Sequence, residues 1–265
     1  MNESQIFNRI LVRQRRQAAA QYFAGHDFIT NLASDYIIQR LVETGIKRNI
    51  ALDIGCHTGG LGKKLLSNGV SKNIFYCDLS ENMVRQADGI KLVADEECLP
   101  FANASFGLIV SSMSMHWIND LPGTLLQIRK CLNEEGVFIA SMPGIETLKE
   151  LRHCLMEAEI EITGGTAPHI SPFVDLKTIG HLLGRAGFNR PVSDSEIIHI
   201  AYKDMHALLK DIRAAGEQSA LIKRSNYLCK EVVALASEKY RNYYSDGDGG
   251  ILATAEIITI TGLAA

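Results

Sequence analysis

Asp53-Ile54-Gly55-Cys56-His57-Thr58-Gly59-Gly60-Leu61-Gly62 is the stretch that decides the fold. It continues the apolar run Ile50-Ala51-Leu52, which reads as a short buried strand, and a helix follows it. A strand that enters a glycine-rich turn and then a helix is the unit from which doubly wound sheets are built. Ligands of such sheets sit at the carboxyl ends of the strands, where glycines let backbone approach them closely. Two nucleotide motifs fail here. The dinucleotide fingerprint GxGxxG would need glycine where His57 stands. The P-loop would need glycine at 57 and Ser or Thr at 64, where the chain has Lys64. What remains is an acid before the turn, then Gly55 and Gly59. A sulfonium nucleoside suits that arrangement. It has no pyrophosphate to cradle, and its amino-acid end needs a carboxylate or carbonyl for the ammonium and N–H donors for the carboxylate. Taken alone, the loop could also be a plain glycine-rich turn.

The same unit repeats outward from this loop. Ile74–Asp78 reads as a second strand and Glu81–Ala87 as a helix; Ile90–Ala94, Phe106–Ser111 and Gly136–Ser141 read as further strands, with a helix over Leu121–Cys131. Strands alternating with helices argue for a parallel sheet covered on both faces. Asp78 ends the second strand 19 residues after Gly59, near the roughly 20-residue spacing of a ribose-binding acid. Its alternative reading is a helix N-cap, a role for which Ser80 is better placed. Asp95-Glu96 follows the third strand and could accept from an adenine amino group. An acid after each of three successive strands points to nucleoside binding more strongly than any one of them.

Toward the N-terminus, Ser4 to Gln21 reads as a helix with Ser4 as its cap, and Ile29–Val42 as another. After Pro143 the pattern changes. Helices are expected over Glu146–Ile162, Asp175–Ala186, Asp204–Ala215 and Glu231–Tyr243, with late strands at Ile197–Ala201 and Ile257–Ile260. Pro168-His169-Ile170-Ser171-Pro172 is stiff and extended. The expected organisation is N-terminal helices over residues 1–45 covering the cofactor site, then a single domain over 46–265 with a lid-like insertion at about 145–173.

Composition excludes other classes. The 265 residues are 46% hydrophobic and 22% charged, a globular balance rather than a disordered one. A net charge of −3 gives no field for nucleic acid. The six cysteines are widely spaced with no CxxC pair, so no zinc ribbon or redox motif is expected. No signal peptide or spanning run is visible, and a reduced, cytoplasmic setting is expected. Among the first 16 residues, Arg9, Arg13 and Arg16 share one helical face. Such a face is solvated, or it docks an acidic protein partner or an anionic membrane surface.

At this point the sequence resembles a known family. Leu52-Asp53-Ile54-Gly55-Cys56, Gly59, Asp78 and Ala94-Asp95 to Leu99-Pro100-Phe101 are similar to class I S-adenosylmethionine-dependent methyltransferases. Two relatives within that class stand out. Ala18-Ala19-Ala20-Gln21-Tyr22 resembles the malonyl-carrier-protein O-methyltransferases of biotin synthesis. A closer resemblance, over nearly the whole chain, is to the mitochondrial complex I assembly factor of this fold and its bacterial homologues. It is carried by Arg13-Gln14-Arg15-Arg16, Ala94-Asp95-Glu96-Glu97, Val110-Ser111-Ser112, His116-Trp117 with Asn119-Asp120-Leu121-Pro122, Pro168 to Phe173, and Gly180 to Phe188.

The resemblance implies a Rossmann-like seven-stranded sheet with helices on both faces and its last strand antiparallel. S-adenosylmethionine (SAM) is the implied cofactor. Asp53, Gly55, Cys56 and Gly59 would surround its methionine moiety and Asp78 with Leu79 its ribose. Asp95 and Glu96 would lie near the adenine, with Ser111 also lining the site. His57 departs from the family, where glycine is usual, and a bulky residue at a positive φ there would crowd the cofactor.

Methyl transfer from a sulfonium needs alignment and desolvation more than a catalyst, because the electrophile is already activated. A base is needed only if the acceptor must lose a proton. His116 is the candidate, with a satisfied structural histidine beside Trp117 as its alternative reading. His169 is a second candidate, in the lid with Arg152 nearby; either faces a substrate carboxylate or simply closes the lid, and the lid-closing reading is favoured for Arg152. The expected activity is methyl transfer to an unidentified acceptor. The complex I relatives are associated with hydroxylation of an arginine on a complex I subunit, which makes protein-arginine hydroxylation the alternative. None of the eight histidines forms an HxD or HxE pair of the kind a non-haem iron site often uses. A non-catalytic, SAM-gated assembly role is the third reading. Implied partners are SAM and either a complex I subunit or an acyl-carrier thioester.

Overall fold

Strand β1 (Ile50–Ile54) is buried almost throughout because both of its faces are covered. Alternation along the strand separates two cores. Leu52 and Ile54 pack with Ile109, Leu125 and Phe138, whereas Ala51 packs with Ile37, Leu65, Leu108 and Val110. A computed structural model describes residues 5–222 and 228–264. In chain order, helices α1 (Arg9–Ala19) and α2 (Phe28–Glu43) precede β1. Helix α3 (Gly60–Ser67), β2 (Asn73–Asp78), α4 (Glu81–Val84), β3 (Ile90–Val93), β4 (Phe106–Ser112), α5 (Leu121–Cys131) and β5 (Leu132–Pro143) follow. The carboxyl-terminal part is α6 (Lys149–Thr163), α7 (Leu176–Arg185), β6 (Asn189–Tyr202), α8 (Met205–Ala214), α9 (Lys230–Tyr243) and β7 (Ile251–Leu263).

The described residues form one seven-stranded sheet in the order β3-β2-β1-β4-β5-β7-β6. Strands β1 to β5 pair in parallel, and β7 pairs antiparallel with β5 on one side and β6 on the other. The seven-stranded mixed sheet with an antiparallel last strand is therefore as expected. The order reverses direction between β1 and β4, so a crevice opens at their carboxyl ends. Helices α5 and α7 cover one face, and α2 and α3 the other. A third core joins Leu151, Cys154, Leu155 and Ala158 of α6 to Leu208, Val232, Ala236, Tyr240 and Ala253.

Three local expectations change. The first helix starts at Arg9, capped by the Asn8 side chain, which accepts from Leu11 N at 3.1 Å; Ser4 lies outside the described residues. Strand β6 runs 14 residues rather than the five of its β-branched core. It pairs with β7 from Val192 to Tyr202, after an irregularity following Asn189, and that pairing recruits Asp194 and Glu196 against their weak strand preference. The segment expected as a lid is α6 plus an irregular stretch to Phe173. Helix α6 is anchored in the third core, while Thr147, Leu148, His169, Ile170, Ser171 and Phe173 line a cavity.

Candidate functional site

The β1–α3 turn is built on close approach. Gly55 has φ +60°, and a Cβ there would lie 1.9 Å from Ser114 Oγ and 3.1 Å from Glu96 Oε1. Gly59 has φ +85°, and its Cβ would meet the Ala87 Cβ at 2.6 Å. Only glycine tolerates both constraints. Asp53 accepts from Gly62 N at 3.1 Å, at the start of α3, while its Oδ1 is buried with no partner. Burial pushes its carboxyl up to about 8; the Gly62 bond opposes that rise and the Asp78 charge adds to it.

His57 adopts φ +49°. Its backbone N–H donates to Asp78 Oδ2 at 3.0 Å, and its ring stacks on Phe23 with centroids 4.9 Å apart. Both ring nitrogens are buried without partners. Burial, together with the Arg16 charge, lowers its pKa to about 4, so the ring is neutral.

The strand-end acids Asp78, Asp95 and Glu96 gather around two arginines, and each has a partner. Asp78 also accepts from Ser80 N at 2.7 Å, and Ser80 caps α4 through Met83 N, which settles the cap in favour of Ser80. Arg16 Nη1 lies 3.5 Å from Asp78 Oδ2 and 3.1 Å from Glu96 Oε1. Its Nη2 donates to Ser114 Oγ at 2.8 Å. Arg9 pairs with Asp95 at 2.6 Å and with Glu96. Burial raises Asp78 to about 6 although Arg16 opposes it. Glu96 is equally buried, but the two guanidinium groups outweigh that cost and hold it at about 2.

These pairings correct the reading of the arginine face of α1. Arg16 is fully buried, and Arg9 and Arg16 turn inward onto the chain's own acids rather than outward to an acidic partner or a membrane surface. The reason is electrostatic. Buried carboxylates at two strand ends need counter-charge, and a helix with arginines at i and i+7 presents it on one side.

The remaining expected residues are distributed as follows. Cys56 is buried, its Sγ 3.5 Å from His57 O, and burial raises its thiol well above the ordinary value. Leu79 packs with Phe7, Val12 and Trp117. Ser111 is buried with an unpartnered Oγ. His169 lies away from the acids, its Nε2 3.0 Å from Glu159 Oε2. Arg152 donates to the Ile145 and Thr147 carbonyls of the turn just before α6.

His116 lines a separate cavity of about 560 Å³, within the usual size for a small-molecule or side-chain site. At one wall its Nε2 lies 2.8 Å from Glu217 Oε2, and Trp117 Nε1 donates to the same oxygen at 3.0 Å. Glu217 is half-buried at this wall, and His116 and Arg16 lower its pKa below the ordinary value although desolvation opposes them. Elsewhere in the cavity Asp211 takes His26 Nδ1 at 2.5 Å and the Tyr202 hydroxyl at 2.7 Å. Neither Glu217 nor Asp211 belongs to any motif, so only the proximity of each to a histidine marks it.

S-adenosylmethionine fits these residues in kind. The partnerless Asp53 Oδ1 could take its ammonium, and Asp78 and Glu96 stand where a ribose and an adenine need acceptors. Space is another matter. The gap bounded by Phe23, Asp53, Gly55, His57 and Ser112 holds about 10 Å³, room for roughly one water.

Comparison with known proteins gives a consistent picture. A family profile described as Methyltransferase domain matches residues 25–191. The chain is 38% identical over 264 residues to the rat protein named arginine-hydroxylase NDUFAF5, mitochondrial, covering 97% of this chain and 77% of that one. It is 28% identical to a malonyl-[acyl-carrier protein] O-methyltransferase of Gallionella capsiferriformans, over 92% of this chain and 87% of the other. Among solved structures, YcgJ from Bacillus superposes with a TM-score of 0.60 at 13% identity, covering 86% of this chain and 98% of its own. The [4+2]-cyclase SpnF superposes at 0.54 with 16% identity, covering 88% and 80%. At these identities the structures speak for the fold alone, and the fold hosts more than one chemistry.

Proposed function

Because the chain belongs to the methyltransferase-domain family, with S-adenosylmethionine as its cofactor, we propose that it acts on an arginine side chain of a protein partner inserted into the His116–Glu217 cavity. Asp53 would hold the cofactor's ammonium, Asp78 its ribose, and Asp95 and Glu96 its adenine edge. The cofactor supplies an activated methyl group, and the chain's own residues bind, orient and exclude water. The observation that carries the acceptor reading is Glu217, a low-pKa carboxylate at the cavity wall beside Trp117. A carboxylate pairs bidentately with a guanidinium. The relatives named arginine-hydroxylase, similar over 97% of this chain, support the same substrate class.

Two reactions on that arginine are distinguished by what is added. Hydroxylation replaces a C–H by C–OH, with the oxygen from dioxygen and two electrons from an added reductant. Methyl transfer makes an N–CH₃ bond from the sulfonium and releases one proton, for which His116, already oriented by Glu217, is the base within reach. The names of the 38%-identical relatives favour the first, and the 28%-identical O-methyltransferases and the family itself favour the second. Among the described residues no helix is long and apolar enough to cross a membrane, and all six cysteines are free. We therefore place the protein in a reducing, cytoplasmic compartment, reaching a respiratory complex I subunit as partner.

The test is peptide mapping by mass spectrometry after incubation with SAM, iron, reductant, oxygen and the complex I subunit. One oxygen gained on an arginine assigns hydroxylation, and one methyl gained there assigns transfer. Modification of no arginine, with SAM binding verified, overturns the acceptor reading and returns an acyl-carrier thioester or a non-catalytic assembly role.

A further inference from the structure

The guanidinium of Arg16 stands over the glycine turn, between Asp78, Glu96 and Ser114, with distances of 3.5, 3.1 and 2.8 Å. Ser114 and Glu96 are also the groups that a Cβ on Gly55 would strike. The space that glycine opens is therefore taken by the chain's own side chains. Arg9, two turns earlier on α1, closes Asp95 and Glu96 in the same way. Phe23, just after α1, closes the other end by stacking on His57. A nucleoside's neutral hydroxyls and amino group need these same carboxylate oxygens, where they compete with the arginine donors for the same side of each acid.

The helix is tied to the second cavity as well. Arg15 donates to the Gln218 carbonyl at 2.7 Å and to the Ser219 carbonyl. Asn8 N donates to Ala220 O at 2.8 Å, and Ile222 N donates to Ile6 O at 2.9 Å. Phe7 packs edge-on against Trp117 with centroids 5.5 Å apart. The segment held this way begins at Glu217, the carboxylate beside His116.

We propose that α1 is a displaceable plug in the nucleoside end of the cofactor site, and that cofactor entry releases it together with the 217–222 segment, whose Glu217, Gln218 and Ser219 line the acceptor cavity. The plug rests on the assignment of Asp78 and Glu96 as nucleoside-binding acids, and the order of events rests also on the reading of the His116 cavity as the acceptor site. In the closed state the arginines neutralise the acids and Glu217 is drawn onto His116. In the open state the cofactor takes the acids, α1 loses its ion pairs, and the wall beside Glu217 loosens. The order of events is cofactor first, acceptor second. A ligand that needs a minor open state binds more weakly by the fraction of molecules open.

The experiment is amide hydrogen exchange on the intact protein with and without saturating SAM, paired with calorimetry on wild type, Arg9→Gln and Arg16→Met. The expected result is that SAM protects the 53–59 turn while exchange over residues 9–19 rises about tenfold or more. The Trp117 fluorescence should change in the same titration, because its Phe7 and Glu217 contacts are on the moving side. Whichever of the two variants retains the wild-type circular dichroism spectrum should bind SAM about tenfold more tightly, since its competitor is gone. Protection of both segments together, or equal or weaker SAM binding by a folded variant, overturns the plug. If both variants unfold, the exchange pattern of the wild type decides alone. SAM binding that is insensitive to Asp78→Ala would instead overturn the site assignment itself. No SAM binding by wild type or by a folded variant overturns both.

Discussion

Charge placement around Asp78 and His57 governs what single residues do. Two backbone N–H groups fix the orientation of Asp78, so it is a preorganised acceptor once Arg16 gives way. Asp78→Ala is expected to weaken SAM binding in calorimetry by about 1.5–3 kcal/mol for each charged hydrogen bond lost. His57 gives a pH prediction with a definite sign. Its folded pKa of about 4 lies below the ordinary 6.5, so the unfolded chain binds the proton more readily. Its contribution to stability is complete above pH 6.5 and is lost as pH falls toward 4, by about 3 kcal/mol in all. His57→Gly should flatten the denaturation-midpoint profile over that window; an unchanged slope would locate the sensitivity elsewhere. Glu96 acts in the same direction at lower pH. Its folded value of about 2 against the ordinary 4.5 gives stability that persists above pH 4.5 and disappears below it.

Elements differ in how far their own sequence explains them. Strand β4 is buried along its whole length and pairs with β1 and β5, so its apolar run and its position agree. Helix α5 occupies its expected residues, because Asp120 caps it through Gly123 N at 2.9 Å and Pro122 fits its first turn. Helix α1 has no such inward signal. Its arginines read as a solvent face until the acids they meet are located. Helix α6 was expected as part of a lid, yet Leu151 on it is completely buried and also borders the cavity. Leu151→Ala should cost about 2–5 kcal/mol in chemical denaturation. A cost below about 1 kcal/mol would mean that α6 is a loosely held cover rather than part of the core.

Across the whole molecule, two compartments meet at one wall. The acid-lined turn lies at the ends of β1 and β2, and the larger cavity is lined by segments from α2 to β7. Arg16 and His116 both shift the pKa of Glu217, so the two compartments are electrostatically linked. Glu217→Gln keeps shape and removes charge. Modification of an arginine acceptor is expected to fall by about a hundredfold, the scale of one lost charged contact. SAM affinity should not fall, because the wall that Glu217 holds against His116 opens more readily without that charge. Loss of both activities in parallel would mean that Glu217 serves the cofactor site instead.

What was legible in the sequence was local or strictly spaced. The apolar run into Gly55, the acid 19 residues after Gly59 and the acids after β3 depend only on near neighbours and on the repeat of a strand-turn-helix unit. The sheet, the turn and the convergence of Asp53, Asp78, Asp95 and Glu96 follow from that repeat. Only the tertiary structure decided what those acids touch. Arg16 and Glu96 are 80 residues apart, and His116 and Glu217 are 101 apart. No periodicity links such pairs. Their meeting depends on how α1 packs across the strand ends and where the chain turns after α8. Those choices are made by burial and charge compensation summed over the whole core, and the local pattern around either partner carries no trace of them.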